Sequence, residues 1–341
     1  MAVIVTGGAG FIGSQLIGRL LEATDEVVVC LDNFNDYYSP LQKRRNVEPF
    51  LSHPRLRLAE GDFCDAPTVM RLFGENDVSS VVHLGGYGGV EASVAAPLVY
   101  QRTNVGGTLV LLEAARKFGV GRFVLASSST VYGDIAESPF REDGPLGIPL
   151  SPYGATKRAA ELLALNYHRL HHLPTVCLRL FSVYGPRMRP DLVLSMFSKS
   201  LVEGRPIVVY GDGASQRDFT HVSDICDGFL AALNAPDAVG EAINLGNARP
   251  VSMNEVIAEL QGAFDARVDI IRKPPRLCDM RRTCADLSKA KRILGYHPAT
   301  EFRAGLRAWA EWVKANGLYA SAGASRSNDA LLIKPTTSPL G

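Results

Sequence analysis

A phenol and an ammonium stand four residues apart in Ser151-Pro152-Tyr153-Gly154-Ala155-Thr156-Lys157. Ser151 is suited to N-cap a helix and Pro152 to its first turn, so the spacing predicts a helix that opens at this motif and carries Tyr153 and Lys157 on one face. A free phenol titrates at about pH 10 and is a poor base at neutral pH, but a nearby cation favours the phenolate. Upstream, the apolar run Phe123-Val124-Leu125-Ala126 predicts a buried parallel strand, and it runs into hydroxyls at Ser127, Ser128, Ser129 and Thr130. Hydroxyls at a strand end facing a Tyr-Lys pair describe a proton-transfer site. The same spacing also fits an ordinary helix face with an interfacial tyrosine and a solvated lysine. What precedes it in the chain decides between the two.

The chain opens with a short apolar strand, Ala2-Val-Ile-Val-Thr6, then Gly7-Gly8-Ala9-Gly10-Phe11-Ile12-Gly13, then a helical pattern through Leu16, Ile17, Leu20 and Leu21. Strand, glycine loop and helix come in the order of a dinucleotide-binding turn, spaced Gly7-x-x-Gly10-x-x-Gly13. Pyrophosphate would sit over the helix N-terminus, where free N–H groups and the dipole attract anions. The next strand, Val27 to Leu31, ends in Asp32, placed to bind the adenosine ribose hydroxyls and to repel a 2′-phosphate, so NAD is favoured over NADP. A positively charged nicotinamide ring would lower the Tyr153 phenol further.

More βα units follow. Leu56-Arg57-Leu58 leads to Asp62, which could meet the adenine edge, and Val81-Val82-His83-Leu84 leads to the small residues Gly85-Gly86. A helix through Leu109 to Ala115 precedes the Ser128 strand. Repeated βα units without hairpin signals predict an α/β fold with a doubly wound parallel sheet of the Rossmann type. The later strand at 207–210 and a helix at 193–202 predict a smaller C-terminal α/β lobe. The expected division is a cofactor domain at 1–180 with 221–248, a second lobe at 181–220 with 249–316, and a tail of Ala, Ser, Gly and Pro at 317–341.

The 341 residues carry a net charge of +1 with no basic block, which argues against a nucleic-acid partner. No apolar run is long enough to span a bilayer, and the glycine-interrupted N-terminus lacks a basic n-region, so neither a membrane nor a secretory signal is expected. The six cysteines form no CxxC pair, in keeping with a reducing, cytoplasmic setting. His168 and His172 have i,i+4 spacing but no evident third ligand. The helix end explains them as well, and no metal is expected.

Together the glycine loop, Asp32, the serine-rich strand end and Tyr153-x-x-x-Lys157 resemble the extended short-chain dehydrogenase/reductases, in their nucleotide-sugar epimerase/dehydratase branch. The resemblance covers roughly residues 1 to 315. It implies a catalytic triad of Ser128, Tyr153 and Lys157, and cofactor contacts from Gly7, Gly10, Phe11, Ile12, Gly13, Asp32, Asn33, Asp62, Phe63, Leu84, Gly85, Gly86 and Asn104, with Tyr153 and Lys157. It implies a nucleoside diphosphate clamped by Arg217 and Arg276, with Arg282 a weaker candidate and Asp279 beside them. It also implies a homodimer paired through the helices near 98–118 and 153–172.

Within that branch, the 4,6-dehydratases carry Asp-Glu after the catalytic hydroxyl, and the UDP-glucuronate decarboxylases carry Glu just before Val-Tyr-Gly. This chain has Ser129-Thr130, which disfavours both chemistries. Arg189 in Gly-Pro-Arg-Met-Arg-Pro-Asp lies where uronate epimerases could meet a sugar carboxylate, with Ser129, Thr130 and Ser182 as neutral donors. Arg189 could instead pair with Asp191. The segment Leu31-Asp32-Asn33-Phe34-Asn35-Asp36-Tyr37-Tyr38 is similar to that of UDP-glucuronate 4-epimerases. The expected activity is therefore NAD-dependent 4-epimerisation of UDP-glucuronate, with UDP-glucose epimerisation, decarboxylation and a non-catalytic NAD sensor as alternatives. Glu91 departs from the family, standing where many relatives have Arg, and is expected to point away or pair with an arginine.

Overall fold

In a computed structural model, residues 1–316 apart from 136 and 277 are described, so the 317–341 tail lies outside the described residues. Seven strands form one parallel sheet: β1 (Ala2–Thr6), β2 (Val27–Asp32), β3 (Leu56–Glu60), β4 (Val78–His83), β5 (Arg122–Ser128), β6 (Thr175–Leu180) and, much later in the chain, Glu241–Leu245. Three short strands lie between, β7 (Ser182–Tyr184), β8 (Ile207–Tyr210) and β9 (Gln216–His221), so Glu241–Leu245 is β10; β11 (Pro250–Ser252) and β12 (Ile270–Lys273) follow. The large sheet runs β10-β6-β5-β4-β1-β2-β3, all parallel, as the repeated βα units predicted. Its order reverses between β1 and β4, and that crevice is where such sheets bind ligands.

Period-2 alternation divides the apolar residues between two faces. Val3, Val5, Val28, Cys30, Val82, Val124 and Leu178 join one core cluster, and Ala2, Ile4, Val29, Leu31, Val81, Phe123 and Leu125 join the other. Burial on both faces is why these strands read as continuous apolar runs. Two small sheets, β11-β9-β7 and the parallel pair β12-β8, lie beside the large one.

The Tyr153 helix runs Pro152–His171, with the Ser151 hydroxyl accepting from the Gly154 N–H as the sequence predicted. The helix expected around 109–115 forms at Thr108–Lys117, but a π-helical stretch, Gln101–Gly107, precedes it. Its glycines give no pattern that distinguishes π from α, yet one is required: a Cβ on Gly107 would stand 2.4 Å from the Phe63 ring.

One buried ion pair ties the Tyr153 helix to the sheet. Glu161, two turns beyond Tyr153, accepts from Arg179 Nη2 at 2.6 Å and Nε at 3.1 Å, and from Ser127 Oγ at 2.7 Å. Both side chains are about 5% exposed or less, and the Arg179 guanidinium lies 4.8 Å from the Tyr132 ring centroid. Ser127 thus serves the scaffold and not the proton-transfer site. We predict that Glu161→Ala, which leaves Arg179 buried and unpaired, lowers the unfolding free energy by about 3–5 kcal/mol. Denaturant midpoints at equal m-value would check this, and a change below about 1 kcal/mol would show that the pair does not anchor the helix.

Candidate active site

β1 leads into Gly7 at φ +64°, and the chain doubles back over its own strand. A Cβ on Gly7 would lie 2.9 Å from the Gly85 backbone, and one on Gly13 would lie 2.3 Å from the Gly7 carbonyl oxygen. Hydrogen is the largest substituent these positions accept. The helix Phe11–Ala23 starts at Gly10 with no side-chain cap, which leaves its N-terminal N–H groups for an anion. Asp32, 7% exposed, accepts from Ala9 N at 3.1 Å and Phe34 N at 2.9 Å, so the carboxylate also fixes the loop. Burial pushes its pKa up, against the pull of Lys43 and these two N–H groups.

The glycine loop opens onto a cleft of about 560 Å³. Every residue proposed from the sequence to meet cofactor or substrate lines it, except Asp62, Asn104 and Arg282. Two of these have partners within the protein. The Asp62 carboxylate accepts from Cys64 N at 2.8 Å and shapes the turn after β3. The Asn104 amide accepts from Tyr87 N at 2.8 Å and donates to Tyr87 O and Thr156 Oγ1, which spends it on bracing the loop after β4.

Ser128, Tyr153 and Lys157 come together on the cleft wall where β5 ends and the Tyr153 helix begins. Lys157 is 8% exposed and donates to the Ala126 carbonyl at 2.9 Å. Burial, with the Arg189 charge adding to it, lowers its pKa to about 8. Thr130 donates to Ser128 Oγ at 2.9 Å. The Tyr153 phenol differs from expectation. Burial pushes its pKa up, and the groups pulling it back are the Ser128 hydroxyl and the Arg189 charge, with Lys157 not among them.

Arg189 adopts the paired arrangement. Its Nε and Nη2 donate to Asp191 at 2.9 and 2.8 Å, and Nη1 lies against Gly88, where a Cβ would come within 2.7 Å. Tyr37 donates to the Gly88 carbonyl and has Asp191 Oδ2 at 3.3 Å, while the guanidinium lies 5.5 Å from the Tyr37 ring centroid. Desolvation opposes the charge on Asp191, but Arg189 more than offsets it and holds that carboxyl below its usual range. Arg276 bonds Glu91 at 2.8 Å, which bears out the expectation that Glu91 pairs with an arginine. His168 Nδ1 faces the Leu173 carbonyl at 3.1 Å.

A family model described as GDP-mannose 4,6 dehydratase matches residues 4–309. The chain belongs to this family. Similar proteins carry the names of more than one activity. A UDP-glucuronate 4-epimerase of Thermodesulfobacterium geofontis is 37% identical over 314 residues, covering 92% of this chain and 96% of the relative. A dTDP-glucose 4,6-dehydratase of an Actinoplanes species is 36% identical over 324 residues, covering 93% and 98%. The structure of a UDP-glucuronic acid 4-epimerase from Bacillus cereus, in complex with UDP-glucuronic acid and NAD, superposes with a TM-score of 0.88 at 34% identity, covering 93% of this chain and all of that one.

For this member of the GDP-mannose 4,6-dehydratase family, sequence reasoning missed Lys43 and the role of Tyr37. Lys43 is 5% exposed, donates to the Asn35 carbonyl and side chain at 2.9 and 2.7 Å, and lines the cleft beside Asp32. In Lys43-Arg44-Arg45 it reads as a solvated charge run, with nothing to mark which residue turns inward.

The Lys157 position has a measurable cost. Its pKa falls from 10.5 to about 8 on folding, so between those values the unfolded chain holds a proton that the folded chain has lost. Stability from this group therefore rises with pH across that window, and the penalty is fully present below pH 8. Lys157→Met is expected to raise the unfolding free energy at pH 7 by roughly 1–3 kcal/mol, with the gain shrinking towards pH 10.5. Chemical denaturation at pH 7 and pH 10 checks it, and a pH-independent difference would refute a charged, desolvated Lys157.

Proposed function

We propose that the chain is an NAD-dependent UDP-sugar 4-epimerase interconverting UDP-glucuronate and UDP-galacturonate. The observation that carries this reading is the meeting of Ser128, Tyr153 and Lys157 with Arg189 and the Ser129, Thr130 and Ser182 hydroxyls in one cleft. Similarity alone places epimerase and dehydratase relatives together, at 37% and 36% identity. The residues separate them. Removing water needs an acid and a base beside the catalytic hydroxyl, and Ser129-Thr130 supplies neither.

The glycine cradle, the uncapped helix start and the buried Asp32 carboxylate fit a dinucleotide, with Lys157 on the nicotinamide ribose. NAD, when bound, supplies an acceptor for the C4 hydride, its return, and a positive ring charge that favours the phenolate. Tyr153 takes the 4-hydroxyl proton and later returns it, Ser128 shares that hydrogen bond, and Lys157 adds positive charge near the phenol. Arg217 and Arg276 hold the diphosphate. The 4-keto sugar turns within the cleft and presents its other face. We assign cofactor binding to 1–180 with 221–248 and sugar-nucleotide binding to 181–220 with 249–316, in a cytoplasmic homodimer. The exposed Leu98 and Leu162, 80% and 60% accessible on the helices Pro97–Tyr100 and Pro152–His171, support the pairing.

A 4-keto uronate is a β-keto acid. It loses carbon dioxide when the breaking bond aligns with the carbonyl π system, so an epimerase must hold the carboxylate out of that alignment. Asp191 takes the Nε–H and one N–H of Nη2, so Arg189 can do so through Nη1 and the remaining Nη2 N–H.

Tyr153→Phe is expected to keep NAD and UDP-glucuronate bound while turnover falls more than about a hundredfold; NMR of the sugar products reads it, and retained activity would end the assignment of Tyr153. Arg189→Ala should cut kcat/KM for UDP-glucuronate by the equivalent of about 2–4 kcal/mol, spare UDP-glucose and release some 4-keto-pentose. Equal losses for both sugars would place Arg189 in service of the fold or the diphosphate, and would favour the neutral-sugar epimerase.

A further inference from the structure

Each of the three arginines lining the cleft meets an acid. Arg189 pairs with Asp191 from its own loop, and Asp279 acts on Arg217 electrostatically. Glu91 differs from both in where it comes from. It belongs to the short helix Val90–Ala95 that follows β4, whereas Arg276 lies in the loop after β12. Their contact at 2.8 Å joins two parts of the chain that are remote in sequence.

The Arg276 guanidinium is held on two sides. Its Cζ lies 3.5 Å from the Tyr210 ring centroid, so the flat face is stacked, and Nη1 is bonded to Glu91 Oε2. Stacking fixes the plane of the fork and aims its edge. Tyr210, Arg217 and Arg276 all line the cleft, as does Val90, the neighbour of Glu91. A carboxylate on an arginine fork occupies the hydrogen-bond positions that a phosphate oxygen would take. Glu91 is 68% exposed and Arg276 28% exposed, so the pair sits at the mouth, where an entering anion can displace it.

We propose that Glu91 is an affinity-setting residue that stands in for the diphosphate: it holds Arg276 in the free protein and is displaced when the nucleoside diphosphate binds. This rests on the UDP-sugar reading above. The carboxylate lowers affinity through the Arg276 pair that must break before a phosphate can take the fork. In return Arg276 is ordered before the ligand arrives. An enzyme whose substrate and product carry the same UDP group must release that group every turnover, and a competing carboxylate on one arm of the clamp eases its departure.

The test is calorimetric titration of UDP into the NAD-loaded protein as wild type, Glu91→Gln, Arg276→Ala and the double variant. Glu91→Gln is expected to bind UDP about two- to five-fold tighter, the scale of a partly exposed ion pair. Arg276→Ala should bind more weakly, and Glu91→Gln should then add nothing. Unchanged or weaker UDP binding by Glu91→Gln overturns the proposal, as does full tightening in the absence of Arg276, since that would be bulk charge alone. These results leave the UDP-sugar reading intact, whereas failure of the wild type to bind UDP would remove both.

Discussion

At the carboxyl ends of β1 and β4 two backbones come so close that a single methyl group on Gly7 would drive them apart. Gly7 meets Gly85 there, with the site of a Cβ 2.9 Å from the opposing main chain. The reversal of strand order opens the crevice, and the glycines set how near its walls stand. The start of the Phe11–Ala23 helix, the Asp32 carboxylate and the Ser128 strand end are all placed relative to that approach. A side chain here would shift the wall from which every other group of the cleft is measured.

Charge is the second constraint. The cleft gathers Lys43, Lys157, Arg189, Arg217 and Arg276 within a partly desolvated volume. Burying cations together is costly unless they are answered. Arg189 has Asp191, Arg276 has Glu91, and Lys43 has Asp32 and the Asn35 oxygens. Lys157 has only the Ala126 carbonyl and the repulsion of Arg189, and its lowered pKa is the measure of that. The least compensated of these cations among the described residues is the one a helical turn from Tyr153. Directly beneath it, the Glu161–Arg179 pair holds the helix in register with β5 and β6.

What the sequence revealed follows from how local each signal is. The strands show because burial on both faces leaves continuous apolar runs, and the Tyr153 helix shows because Ser151 and Pro152 announce its start. The Gly7–Gly13 turn shows because its glycines have no other explanation. Sequence reading falls short where the outcome depends on distant partners. Asn104 looks like any polar residue ahead of a helix until Tyr87 and Thr156 take up its amide. Lys43 sits in a run of three cations, and only the loop after Asp32 determines which of them turns inward. The inward turn of Ser127 needs Glu161, which lies on another element. The tyrosine phenol was expected to answer to Lys157, but desolvation, a property of the assembled cleft, dominates.

The position of β10 has a consequence for how the protein is made. A ribosome delivers β1 through β6 well before it delivers Glu241–Leu245, the strand that closes the sheet beside β6. All six residues of β6 are buried in the finished molecule, so during that interval an apolar strand stands at an open edge with its hydrogen-bonding groups unpaired. β7, β8 and β9 are translated inside this interval, while β11 and β12, which complete the two small sheets, follow β10, so whatever shelters the edge must remain until the first three have passed. A nascent chain halted before residue 241 exposes a template for pairing with its neighbours, so elongation rate and chaperone occupancy govern the yield of this fold.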